Sequence, residues 1–194
     1  MAGQLTQYGA EYVANKISGI ATPFIGASAP GTWIVGQEWI NTSGSVLNVY
    51  DPHTSTWVTG PYERYLCLLT SDPTVAGPGG GLVVNISDIA AIEDTTTGYL
   101  RQPITFGAAN ASEPTSFTNT NTVTFGPYTA NQAAPIGWAA MIGVPFADSS
   151  SYTPIASTVL NGLLLYVWQV PVAQQVLSTQ SIQVAPGTFE IGVS

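Results

Sequence analysis

The apolar positions of the chain change their period near residue 31. Before that point Leu5, Tyr8, Tyr12 and Val13 recur close to helical spacing and Gly19 supplies a stop. This predicts a short N-terminal helix that ends before the break at Thr22-Pro23. From Gly31 to Val58 the runs become short and strand-like. Trp33-Ile34-Val35 and Trp39-Ile40 lead into the turn Asn41-Thr42-Ser43-Gly44, Val46 to Tyr50 returns, Asp51-Pro52-His53 turns again, and Thr56-Trp57-Val58 closes. Turn-forming residues stand where hairpins need them, so the segment reads as a small β-meander.

Gly60-Pro61 marks a boundary, after which strands are predicted at Tyr65 to Thr70, Leu82 to Ile86, Tyr99 to Phe106, Thr122 to Tyr128, Gly137 to Val144, Leu163 to Val170, Ser181 to Val184 and Thr188 to Val193. Connectors rich in Thr, Ser, Asn, Gly and Pro separate them, notably Asp72 to Gly81, Ala108 to Asn121 and Ala147 to Thr158. Many short strands with polar turns predict a mainly β chain: an antiparallel β-sandwich or jelly-roll, with a short N-terminal helix and a small β-meander insertion. The expected division is a helix and arm over 1–30, the meander over 31–60 and the main β-sandwich domain over 61–194.

Composition adds what the pattern leaves out. Of 194 residues, 45% are hydrophobic, which is enough for a core, yet only 7% are charged. A typical soluble domain carries about 25%. Disorder is excluded on this balance, because disordered chains combine low hydrophobicity with high charge. A surface of Thr, Ser, Asn, Gln and Gly can pack against a partner without stranding ions in the contact. Net charge is −8, with Lys16, Arg64 and Arg101 as the cations. Three scattered cations cannot displace counterions from a run of phosphates or hold an anionic membrane surface, so neither nucleic acid nor membrane is an expected partner. The longest apolar run, Gly162 to Val170, is strand-sized beside the ~20 residues of a membrane span. The opening Met1-Ala2-Gly3-Gln4 lacks the basic start and apolar stretch of a signal peptide, which predicts a protein made in the cytosol and carried out only by a larger assembly.

Candidate chemistry is sparse. The single histidine, His53, falls in a predicted turn, and no Gly-x-Ser-x-Gly marks a nucleophile that it could serve. One Cys and one His, separated in sequence, do not point to a zinc site, and Cys67, within Tyr65 to Leu69, reads as a small core residue. Glu93-Asp94 could be a carboxylate pair, but neighbours on a strand point to opposite faces, and the pair precedes Thr95-Thr96-Thr97-Gly98, read as a solvated loop. Asp88 to Asp94 lacks the calcium-loop pattern, and Gly79-Gly80-Gly81 lacks the lysine of a phosphate cradle. Glu38, between Gln37 and Trp39, could suit a sugar, with no second carboxylate indicated. No catalytic residue, metal site or cofactor is predicted, and the chain is read as non-enzymatic. Trp138 and Trp168 sit in apolar strands and are expected in the core. Trp33, Trp39 and Trp57 are candidate contacts for a sugar ring or a protein, and equally candidates for the meander's own mini-core. Tyr8 and Tyr12 are candidate contacts of the N-terminal arm.

The order of these elements resembles a known group. Leu5-Thr6-x-Tyr8-Gly9-Ala10 opens, Tyr65-Leu66-x-Leu68-Leu69-Thr70-x-Asp72-Pro73 precedes a Gly-rich loop, and Gly98-Tyr99-x-Arg101-Gln102-Pro103-Ile104-Thr105-Phe106 follows. Asn119-Thr120-x-Thr122-Val123-Thr124-Phe125, a Trp-centred strand, Leu163-Leu164-Leu165-Tyr166 and Ser181-Ile182-Gln183-Val184-x-x-Gly187 complete it. This resembles the tail-fibre-like, head-fibre or capsid-decoration virion proteins of tailed bacteriophages, especially those of actinobacterial hosts, over about two thirds of the chain. The meander is similar to a "Gly-Asp-x-Trp" element of phage fibres, with Gln37-Glu38 where the acidic position is usual. The resemblance implies an exterior, non-enzymatic virion protein, first of all a capsid decoration protein bound to the major capsid protein or another virion component. It also implies a homo-oligomer, with a trimer favoured. The alternative is a tail fibre or baseplate component that recognises host-surface glycans.

Overall fold

The longest apolar runs of the sequence lie side by side at the centre of one sheet. The computed structural model describes residues 3–6, 24–32, 37–51, 55–60, 62–83, 86–108, 115–145 and 163–193. Strands β6 (Tyr62–Leu69), β10 (Ile136–Pro145) and β11 (Leu163–Gln174) form the middle of a five-stranded antiparallel sheet. Strand β1 (Gly3–Leu5) pairs outside β11, and the two-residue β7 (Gln102–Pro103) pairs outside β6. Both faces of this sheet are buried, so its strands read as continuous apolar runs rather than alternating ones. Leu66, Leu68, Ala139, Met141, Leu163, Leu165, Tyr166 and Trp168 enter one core. Tyr65, Cys67, Leu69, Ala140, Ile142, Val144, Leu164 and Val167 enter the other.

One residue sets the phase of β11. Met141 is opposite Tyr166 but Ile142 is opposite Leu164, so Leu165 is an extra residue in the ladder. A bulge of this kind puts two consecutive side chains on the same face. Leu165 and Tyr166 therefore share a core, and the alternation resumes on either side of them. Without the bulge, one half of the strand would turn its side chains to the wrong face.

Two ribbons cover the first core: β9 (Val123–Phe125) with β12 (Ile182–Val184), and β8 (Thr115–Thr118) with β13 (Glu190–Val193). They contribute Val123, Phe125, Val184 and, from the turn before β13, Phe189. Trp168 lies between Tyr166 and Phe189, with ring centroids 4.7 and 4.8 Å away, and its indole N–H donates to the Glu190 carbonyl at 2.9 Å. Val83, Ile92 and the helical turn Ile86–Ile89 cover the second core. The fold is thus mainly β, with the antiparallel sheets of the sandwich expected from the sequence.

A second, smaller sheet has the order β2-β3-β4-β5, made of β2 (Phe24–Gly26), β3 (Glu38–Asn41), β4 (Val46–Asp51) and β5 (Thr56–Thr59). The last three are the predicted meander, while β2 joins it in parallel. Val49 and Tyr50 are buried in this sheet and belong to neither core of the larger one. Gly60 closes it: its N–H donates to Leu47 at 2.9 Å, and a Cβ at this position would stand 2.6 Å from Val49 Cγ1.

Several expectations change. Leu5, read as the first apolar position of a helix, instead ends β1, where Gly3 to Leu5 pair with Trp168 to Tyr166. Thr6 continues the attachment, donating from its backbone N–H to Leu165 and from its hydroxyl to Leu164. The first residues are therefore part of the main sheet rather than of an arm. The rest of that expected helix, with Tyr8 and Tyr12, lies outside the described residues, as do Trp33 and His53. Val83 packs into the second core without strand pairing, and Ile86 opens a helical turn instead of ending a strand. Only Gln102–Pro103 of the Tyr99–Phe106 segment is strand. The connector expected up to Asn121 contains β8. Among the described residues no helix is long and apolar enough to cross a membrane.

Candidate functional site

Among the described residues, the small sheet groups four of the exposed large apolar side chains, Phe24, Ile25, Ile40 and Val46, while Val75, Leu100, Val172 and Leu177 are exposed elsewhere. Cross-strand partners share a face, so register assigns its side chains to two sides. Ile25 pairs with Ile40 and Ile40 with Leu47, which places three aliphatic side chains in a row across three strands. Ile25 is 66% exposed and Ile40 37%. Phe24 pairs with Trp39, Trp39 with Asn48, and Tyr50 with Trp57, which forms an aromatic opposite face with the amides of Asn41 and Asn48. Phe24 and Val46, on that second face, are also exposed. Apolar side chains thus stand exposed on both faces of the small sheet.

The aromatic face settles part of what the sequence left level. Trp39 and Trp57 meet edge to face at 6.0 Å, and Tyr50 and Trp57 do the same at 5.4 Å. Trp39 Nε1 donates to the Gly26 carbonyl at 2.9 Å, which ties β3 to the end of β2. Rings packed in this way stabilise one another, and Tyr50 is buried beneath them. Trp39 and Trp57 therefore pack as a mini-core of the sheet, and both stay part-exposed. Trp168 lies in the first core as expected, and Trp138 packs half-buried against the second.

The carboxylates lie elsewhere and are engaged. Glu93-Asp94 is not the head of a solvated loop: both residues are buried. Glu93 accepts a bidentate pair from Arg101, Nε to Oε1 at 2.8 Å and Nη2 to Oε2 at 2.7 Å, and its Oε1 also accepts from the Tyr99 hydroxyl at 2.8 Å. The Tyr99 oxygen in turn accepts from the Leu68 N–H at 3.0 Å, which fastens the group to β6. Asp94 points the other way. It accepts from the Thr96 N–H at 2.9 Å and from Gln132 Nε2 at 2.7 Å, while Gln132 Oε1 accepts from the Val176 N–H at 2.8 Å. The two adjacent acids thus tie their own segment to β6 through Tyr99 and to Val176 through Gln132.

Burial governs the ionisation around this cluster. It pushes the Cys67 thiol well above its ordinary range, with the Arg101 guanidinium pulling partly back and Glu93 reinforcing the rise. The Tyr99 phenol rises for the same reason and because it faces Glu93. Tyr128 is raised by burial and by the Asp94 carboxylate, beside which its hydroxyl lies out of hydrogen-bond geometry. A nucleophile or general acid needs access and an adjustable proton, and this cluster offers a paired carboxylate and a neutral thiol. Among the described residues no group of three or more His, Cys, Asp or Glu side chains is placed to hold a metal ion. Glu38 faces Val49 across the small sheet, with no second described carboxylate directly opposite it.

Sequence reasoning missed three features. Phe24-Ile25, between Pro23 and Gly26, carried a short strand signal that the preceding Pro obscured. The Glu93–Arg101 and Asp94–Gln132 contacts span 8 and 38 residues and leave no periodic trace. Comparison with known proteins adds no relative: no family model matches the chain, and no curated protein or solved structure does.

Proposed function

We propose that the chain is a non-enzymatic structural protein on the exterior of a tailed-phage virion, and most specifically a capsid decoration protein. The observation that carries this reading is the row Ile25, Ile40 and Leu47 on a small sheet whose buried residues lie outside both cores of the main body. The row is aliphatic and suits attachment to a protein lattice, with Glu38 at its edge, two residues from Ile40 on the same side of β3. The main body, with its Thr-, Ser- and Asn-rich connectors in a chain of net charge −8, suits the solvent side. The partner is the major capsid protein or an adjoining virion component, and the protein acts as a homo-oligomer, a trimer in the favoured arrangement. Three cations in 194 residues argue against nucleic acid as the partner. The buried pairing of Glu93 with Arg101 supports a structural role for the most conspicuous carboxylate pair of the sequence.

A second reading rests on the opposite face of the same sheet. There Phe24 is exposed beside Trp39, and the amides of Asn41 and Asn48 lie on the same side. Part-exposed aromatic rings flanked by amides suit a sugar ring, as a tail component that recognises host glycans would require.

Substitution separates the two faces. Changing Ile25 and Ile40 together to Asn should abolish binding to capsids that lack the protein, while a cooperative unfolding transition remains. Binding equal to that of the unaltered protein would overturn the docking row. Changing Phe24 to Ala should leave capsid binding intact, and it should weaken retention on a host cell-wall glycan column only if the second reading holds.

A further inference from the structure

We draw no further inference here: the strongest candidate, the exposed aliphatic row Ile25, Ile40 and Leu47 on the small four-stranded sheet, already carries the proposed function, and nothing in the structure shows which molecule covers it.

Discussion

Glu93 and Arg101 form an ion pair inside the β body. Both side chains are fully buried. Taking two charges from water is costly, and the pair holds only because the guanidinium meets both carboxylate oxygens and Tyr99 adds a third bond. Removing one partner leaves the other charged and buried. Arg101→Met should therefore destabilise the protein by about 3–5 kcal/mol in urea unfolding, and the double change Arg101→Met with Glu93→Leu should recover much of that loss. A single variant with near-native stability would show that the pair is not sequestered. Alkaline pH gives an independent check on the same neighbourhood. The folded pKa of Cys67 is raised above its ordinary 9.0, so the thiol's share of stability is intact below pH 9. Above pH 9 the unfolded chain loses the proton while the native state keeps it, and stability falls by about 1.4 kcal/mol per pH unit per group. Tyr99 and Tyr128 add the same sense of loss above their ordinary 10.0. Urea midpoints should be flat from pH 7 to 8.5 and fall beyond 9. The first part of that fall should be missing in Cys67→Ala; superimposable profiles would remove Cys67 as its source.

At the scale of elements, legibility followed burial. Strands β6, β10 and β11 were plain because both faces are covered and their apolar runs are unbroken. The meander was plain because Asn41 to Gly44 sits between two apolar runs at hairpin spacing. The short pieces were not: β1 and β2 have three residues each, too few to show a period, and they exist because longer strands accept them. Ile86–Ile89 carries only one turn of spacing, and its helicity follows from packing Ile86 and Ile89 into the second core. Of the candidate site, Trp39 and Trp57 were named from sequence. The row that now matters most, Ile25 with Ile40 and Leu47, was hidden because register across three strands is not a local property. Two substitutions test the element-level account. Trp168→Ala removes the ring held between Tyr166 and Phe189 and should cost about 3–5 kcal/mol. Gly98 has φ 97°, and a Cβ there would stand 2.6 Å from the Pro127 carbonyl oxygen, so Gly98→Ala should lower stability by at least ~1 kcal/mol. Unchanged thermal midpoints in either variant would contradict the packing described.

The whole molecule pairs a β body with two buried apolar cores and a small sheet with exposed apolar side chains on both faces. Among the described residues, Glu93 and Asp94 clamp loops, Cys67 fills a core, and Trp39 and Trp57 pack within the small sheet. Side chains placed in this way suit the capsid-decorating role proposed above. Quantitative immunogold labelling of purified particles with an antibody to this chain, viewed by electron microscopy, tests it most directly. The account predicts label spread over the head at many copies per particle. Label confined to the tail, or absent from particles altogether, would contradict it.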